Sequence, residues 1–171
     1  MAYPNQSMKR VDIVEIKELT AGQKRQVLQL WNQEYPVQLQ YAALAAFEEY
    51  LKGLMQKRHY LLLSEAGEVC GWFFLFERAE ETWFALLVDG KLKGRGYGKR
   101  LLRLVQEKES QLSGWVIDHD RDVKSNGEKY NSPLDFYLKN NFKVCPEERL
   151  GTEKISAVKI RWIRESNTTS C

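Results

Sequence analysis

The densest group of residues able to do chemistry lies between Lys93 and Arg103. Glycines alternate at positions 94, 96 and 98. From Gly90 to Gln106 the cations Lys91, Lys93, Arg95, Lys99, Arg100 and Arg103 occur with no acid among them. Glycine lets a backbone take conformations closed to other residues and approach a ligand closely. Several N–H groups then point into one concavity, and the positive end of a following helix adds to them. Such a nest binds phosphate. A Walker A loop would need Gly at 93 and Ser or Thr after Lys99, where this chain has Lys93 and Arg100. A dinucleotide fingerprint needs G-x-G-x-x-G in a strand–helix–strand unit, whereas the spacing here is G-x-G-x-G.

The surrounding pattern supplies the elements that must hold this loop. Val11, Ile13, Val14 and Ile16 lead a first strand. Thr20-Ala-Gly-Gln23 has the form of a capping box, with Val27, Leu30 and Trp31 at helical spacing behind it and Pro36 after. A second amphipathic helix carries Leu44, Phe47, Leu51 and Leu54. Then the period changes: the runs 60–64, 69–76 and 82–88 predict three strands in an antiparallel meander. The loop follows, and 99–112 reads as a helix stopped near Gly114. A short strand at 115–118, a polar surface loop at 119–131, a helix opened by Ser132-Pro133, and strands at 142–144 and 155–163 complete the chain. The segments 1–10 and 165–171 read as flexible ends of a single domain spanning 11–164.

Composition excludes several classes. The 171 residues are 43% hydrophobic and 12% aromatic, enough to bury a sizeable core. A net charge of +3 is too small to predict a nucleic-acid partner. No stretch approaches the roughly 20 apolar residues of a membrane span, so a soluble, cytoplasmic protein is expected. Cys70, Cys145 and Cys171 are widely spaced and read as free thiols, and His59 and His119 lie far apart. No zinc pattern is present, and no metal is expected.

Two of these runs together resemble the GNAT family of N-acetyltransferases. Val88-Asp-Gly-Lys-Leu-Lys-Gly-Arg-Gly-Tyr-Gly98 is similar to that family's Q/R-x-x-G-x-G/A motif, with Lys93 at the Q/R position and Gly96 and Gly98 matching. Asn131-Ser-Pro-Leu-Asp-Phe-Tyr-Leu-Lys-Asn-Asn-Phe142 resembles the later motif, in which a helical Tyr precedes Gly-Phe. Tyr137 and Phe142 match, and Asn141 replaces the Gly, a residue that also tolerates a left-handed helix cap. The order of elements from Val11 to Ile163 agrees as well. The resemblance implies an α/β (α+β) GNAT fold: a mixed, twisted central sheet flanked by helices on both faces, whose fourth and fifth strands splay apart.

It also implies acetyl-CoA, or another acyl-CoA, as cosubstrate and an amine on a small molecule or protein as acceptor. The pantetheine arm would pair along Leu86, Leu87 and Val88, with oxyanion donors near Leu86 and Leu87. The pyrophosphate would rest on Lys93, Gly94, Arg95, Gly96, Tyr97, Gly98 and Lys99, with Asn131 and Tyr137 completing the cofactor site. Tyr137 is the candidate acid for the leaving thiolate. Asp118 and His119, at the end of the fifth strand, are candidate bases, and an imidazole titrates near neutrality. Glu34, Glu77, Glu81 and a water chain are alternatives. The first two helices would build the acceptor side with Trp31, Glu34, Tyr35, Tyr41 and Glu48, which would suit a cationic amine. Two rival readings remain open at this point: a non-catalytic acyl-CoA-binding module, and a nucleic-acid binder using the 91–103 cations. Either a monomer or a homodimer fits the sequence.

Overall fold

The computed structural model describes residues 10–165. The flexible ends expected from the sequence fall outside that range apart from Arg10 and Glu165, and so does Cys171. The order is β1 (Asp12–Ile16), α1 (Ala21–Glu34), a 3-10 turn (Val37–Leu39), α2 (Leu44–Lys52), β2 (Met55–Leu63), β3 (Val69–Arg78) and β4 (Glu81–Val88). A second 3-10 turn (Gly90–Leu92) leads to α3 (Tyr97–Lys108), β5 (Gln111–Ile117), α4 (Leu134–Lys139), β6 (Lys143–Gly151) and β7 (Ser156–Ile163).

The strands form one mixed sheet in the order β1-β2-β3-β4-β5-β7-β6. β1 to β4 are an antiparallel meander, and β5, β7 and β6 are antiparallel to one another. These two halves meet at a single parallel pair, Trp83 with Ser113. Beyond it the fourth and fifth strands diverge.

Side chains alternate across a strand, so a strand buried on both faces reads as an unbroken apolar run. In β3, Trp72, Phe74 and Phe76 pack towards α1 and α2, while Phe73 and Leu75 join the core with α3 and α4. α1 starts at the expected capping box: Gln23 N–H donates to Thr20 Oγ1 at 3.1 Å, and Thr20 N–H donates to Gln23 Oε1 at 2.9 Å. Two donors that a helix start leaves unpaired are thereby satisfied. α3 buries Leu101, Leu102 and Val105 and turns its cations outward. Each such side chain contributes about 1.5–3 kcal/mol of burial. Asn141 takes a left-handed φ of 70° where α4 gives way to β6.

Several boundaries differ from the sequence pattern for identifiable reasons. α3 ends at Lys108, and Gly114 lies inside β5, where a Cβ would come 2.8 Å from the Phe84 ring. That glycine makes room for a ring rather than stopping a helix. β2 begins at Met55, through polar residues whose pairing shifts between Met55 and Arg58, with Gln56 at φ 53°. β6 runs on to Gly151 through a register shift between Cys145 and Arg149. Bulges of this kind break the alternation that marks a strand. Cys70 is a free, half-buried thiol, and Cys145 is buried. No described helix is long and apolar enough to cross a membrane.

Candidate active site

The glycine loop joins β4 to α3 as the alternating glycines imply. Gly94 and Gly96 have φ of 77° and 81°, values that side chains disfavour, and a Cβ on either would meet nothing within 4 Å. Gly98 differs: its φ is not positive, and a Cβ there would rest 3.6 Å from the Phe136 ring. None of the N–H groups from Gly94 to Lys99 donates a hydrogen bond among the described residues. Six consecutive amides are thus unpaired, the last three in the first turn of α3, and five of the six residues border one opening.

That opening is a cavity of about 550 Å³. Of the cofactor residues expected from the sequence, Leu86, Leu87, Val88, Lys93, Gly94, Gly96, Tyr97, Gly98, Lys99, Asn131 and Tyr137 line it, while Arg95 does not. Gly96 and Lys99 also border a neighbouring groove with Arg100 and Arg103. A second cavity, about 340 Å³, lies on the α1–α2 side of the splayed strands. Leu86, Tyr130, Pro133 and Tyr137 line both. The two spaces thus meet where β4 has lost its parallel neighbour.

Tyr137 is 5% exposed and wedged among Phe84, Phe136 and Phe142 at ring distances of 5.5, 5.1 and 5.2 Å. Its phenol donates to no described residue, so it is available to a ligand in either cavity. Burial pushes the phenols of Tyr35, Tyr130 and Tyr137 well up from their ordinary value, and Tyr50 to about 12. At neutral pH all four are protonated. They can donate a hydrogen bond but cannot serve as bases.

Asp118 and His119 do not join this group. Neither lines either cavity. The Asp118 carboxylate accepts from both terminal nitrogens of Arg149 at 2.9 and 3.0 Å. The Arg149 hydrogen bond holds it below the usual carboxylate range, which makes it a poor base. His119 Nδ1 accepts from the Arg121 N–H, and its Nε2 lies 3.9 Å from Asp122. Asp118 and His119 adjoin the strand end in sequence, but these partners hold them outside the cavities.

The other acids weighed as bases or as acceptor-side groups do not line the second cavity either, although Glu34 borders the first. Glu48 lines a separate hollow with His59 and four lysines. Glu77 is exposed and Glu81 is taken by Lys159 and Arg161. Glu34, 7% exposed, accepts from Lys124 Nζ at 3.0 Å, Gly90 N–H at 2.9 Å and Gln33 Nε2 at 2.8 Å. Burial raises its pKa, and the hydrogen bonds from Gly90, Gln33 and Lys124 together outweigh burial, leaving it below the ordinary value. Lys124, 7% exposed, is the buried exception in a stretch that is otherwise the expected surface loop; the loop pairs with Pro36 and closes over the end of α1. No local pattern marks this pair, whose members stand 90 residues apart.

The model of the acetyltransferase (GNAT) family matches residues 24–117, more than half of the chain. The chain belongs to the GNAT acetyltransferase family. No curated protein sequence matches it. A GNAT-family acetyltransferase from Staphylococcus aureus Mu50 superposes with a TM-score of 0.61 at 14% identity, covering 89% of this chain and 98% of that one. A phosphinothricin acetyltransferase from Sinorhizobium meliloti, solved in complex with AcCoA, gives 0.62 at 12% identity over 92% of each chain. A spermidine/spermine N-acetyltransferase from Vibrio cholerae, solved with manganese ions, gives 0.59 at 15% identity over 90% of this chain and 92% of that one. At such identities the likeness is one of fold. Among the described residues no group of three or more His, Cys, Asp or Glu is placed to hold a metal ion.

Proposed function

We propose that this GNAT protein transfers an acetyl group from acetyl-CoA to a primary amine. The observation that carries the reading is the meeting of two cavities at Leu86, Tyr130, Pro133 and Tyr137, one of them walled by unpaired amides. The residues present fit acetyl-CoA: the unpaired amides of Gly94 and of Gly96 to Lys99, with the Lys93 and Lys99 side chains, suit its pyrophosphate, and Lys99, Arg100 and Arg103 suit further phosphate. The edge of β4 at Leu86 to Val88, unpaired on its β5 side, suits an amide-bearing arm laid alongside as an extra strand.

The cosubstrate supplies an acyl group activated as a thioester. The protein's own part is to orient and to polarise. Alternation along β4 turns the Leu87 N–H towards β3 and leaves the Leu86 N–H, on the unpaired β5 side at the junction, as the backbone donor for a developing oxyanion. Tyr137 donates its phenolic proton towards the departing sulfur. No carboxylate or imidazole lines the acceptor cavity among the described residues, so the amine enters as the free base or loses its proton to water.

Calorimetry with acetyl-CoA, followed by a thiol-release screen of primary amines, tests the proposal. Binding with amine-dependent thiol release is expected; failure to bind acetyl-CoA would overturn it. The missing cavity base favours one second reading, a module that binds acyl-CoA without turning it over. Binding with no thiol release across the amine panel would select that reading.

A further inference from the structure

The acceptor cavity has a wall chemistry that narrows its ligand further. Trp31, Tyr41, Tyr50, Phe76, Trp83 and Trp115 make its sides. Among the described residues that line it, one carries a charge, and that residue is Arg78. Arg78 is an exposed residue whose guanidinium lies 5.1 Å from the Phe76 ring centroid and 5.9 Å from that of Trp83, at the rim of the chamber.

Arg78 has no ionic partner among the described residues, although one stands directly opposite. Glu81 is its register neighbour across the β3–β4 hairpin. That carboxylate is already committed, accepting from Lys159 Nζ at 2.9 and 3.1 Å, with Arg161 Nε 3.6 Å away. Glu148 also pairs with Lys159, which leaves this network with two acids and two cations. The hairpin that holds Arg78 and Glu81 opposite each other turns through Ala79 and Glu80, both at positive φ (51° and 63°) without glycine. An unmatched guanidinium at the rim of an aromatic chamber has the geometry to receive a carboxylate on two N–H groups.

Resting on the acetyl-transfer reading, we infer that the acceptor carries its amine and a carboxylate at opposite ends of a flat, apolar body, with the carboxylate held by Arg78. The span follows from β4. Leu86, at the junction with the cofactor cavity, and Trp83, beside the guanidinium, are three residues apart, roughly 10 Å at about 3.3 Å per residue. An α-amino acid is too short to reach both ends. An aminoalkyl aromatic acid spans them.

The test measures binding of 4-(acetamidomethyl)benzoate, a transfer product of this class, against its uncharged carboxamide isostere. Calorimetry is run with and without CoA on the parent protein, Arg78→Gln and Arg78→Lys. The carboxylate is expected to bind about tenfold more tightly than the carboxamide, the scale of one partly exposed charged hydrogen bond. Arg78→Gln should erase that preference and Arg78→Lys should keep part of it. Equal binding of the two probes to the parent, or a preference that survives Arg78→Gln, would overturn the inference while leaving acetyl transfer intact. Loss of CoA binding itself would instead count against the acetyl-transfer reading, since the probe preference is measured without CoA as well.

Discussion

Replacing Glu34 by Gln removes one charge from a pair whose side chains are only 7% and 8% exposed. The Lys124 ammonium then remains buried without a counter-ion. Breaking a buried pair from one side costs about 3–5 kcal/mol. Gln keeps an oxygen for the Gly90 N–H, so the lower end applies, about 3 kcal/mol. For a domain of this size that corresponds to a fall in Tm of roughly 6–12 °C. Lys124→Met should cost less, because Glu34 would still accept from Gly90 and Gln33. The double variant Glu34→Gln/Lys124→Met should be more stable than the sum of the two single losses predicts, since it leaves no unmatched ammonium. Gly90 opens the turn that leads into the phosphate loop, so CoA affinity should weaken in Glu34→Gln as well. Thermal unfolding followed by circular dichroism, with CoA calorimetry beside it, reads both effects. A Tm change in Glu34→Gln under roughly 2 °C, or strict additivity in the double variant, would refute the reasoning.

Three further outcomes are expected. Tyr137→Phe keeps the packed ring and deletes the proton donor; because burial has made this phenol a weak acid, kcat should fall by about 10², the low end for general acids, with little change in KM for acetyl-CoA. Steady-state kinetics with a chemistry-limited acceptor checks it, and a kcat within about twofold of the parent would leave water as the proton source. Gly96→Ala forces a side chain into φ 81° and should weaken both stability and CoA binding, whereas Gly98→Ala has space beside Phe136 and should fold normally, so any loss of CoA affinity there reports ligand approach alone. Acid should destabilise the protein in two windows. Burial, helped by Lys57, lowers the His59 pKa to about 4, so between about pH 6.5 and 4 the unfolded chain binds a proton that the folded chain refuses, at a cost reaching about 3 kcal/mol. Glu34, also lowered, keeps its contribution above its unfolded value near about 4.3 and loses it as pH falls through its folded value. Urea titrations at stepped pH, with His59→Gln expected to flatten the upper window, measure this.

What the chain disclosed in advance was local. The capping box at Thr20 and Gln23, the glycine loop and the Asn141 cap each need only neighbours within a few residues, and each appears in the structure. The cavity that the loop walls contains nearly all the cofactor residues expected of it. What stayed hidden depends on residues far apart. Asp118 looked like a base because its partner Arg149 is 31 positions away, and Glu34 looked like an acceptor-side acid because Lys124 is 90 away. Aromatic residues at 31, 35 and 41 were visible, but only the fold shows that they share a chamber with Arg78 and not with Glu48. Gly114 was misread because a glycine that ends a helix and one that yields space to a ring are identical on paper.

The single Trp83–Ser113 pair has a mechanical meaning. Four strands on one side and three on the other are joined through the sheet by little backbone bonding, so side-chain packing between the halves carries most of that join. A sheet continuous through the middle opens only when the whole domain unfolds; one divided here can breathe along the division at lower cost. Amide exchange should therefore be quick on the β5-facing side of Phe84 to Val88, in the middle of an otherwise protected sheet. A ligand laid along that edge would act as the missing strand, and slowed exchange there would record the two halves becoming one.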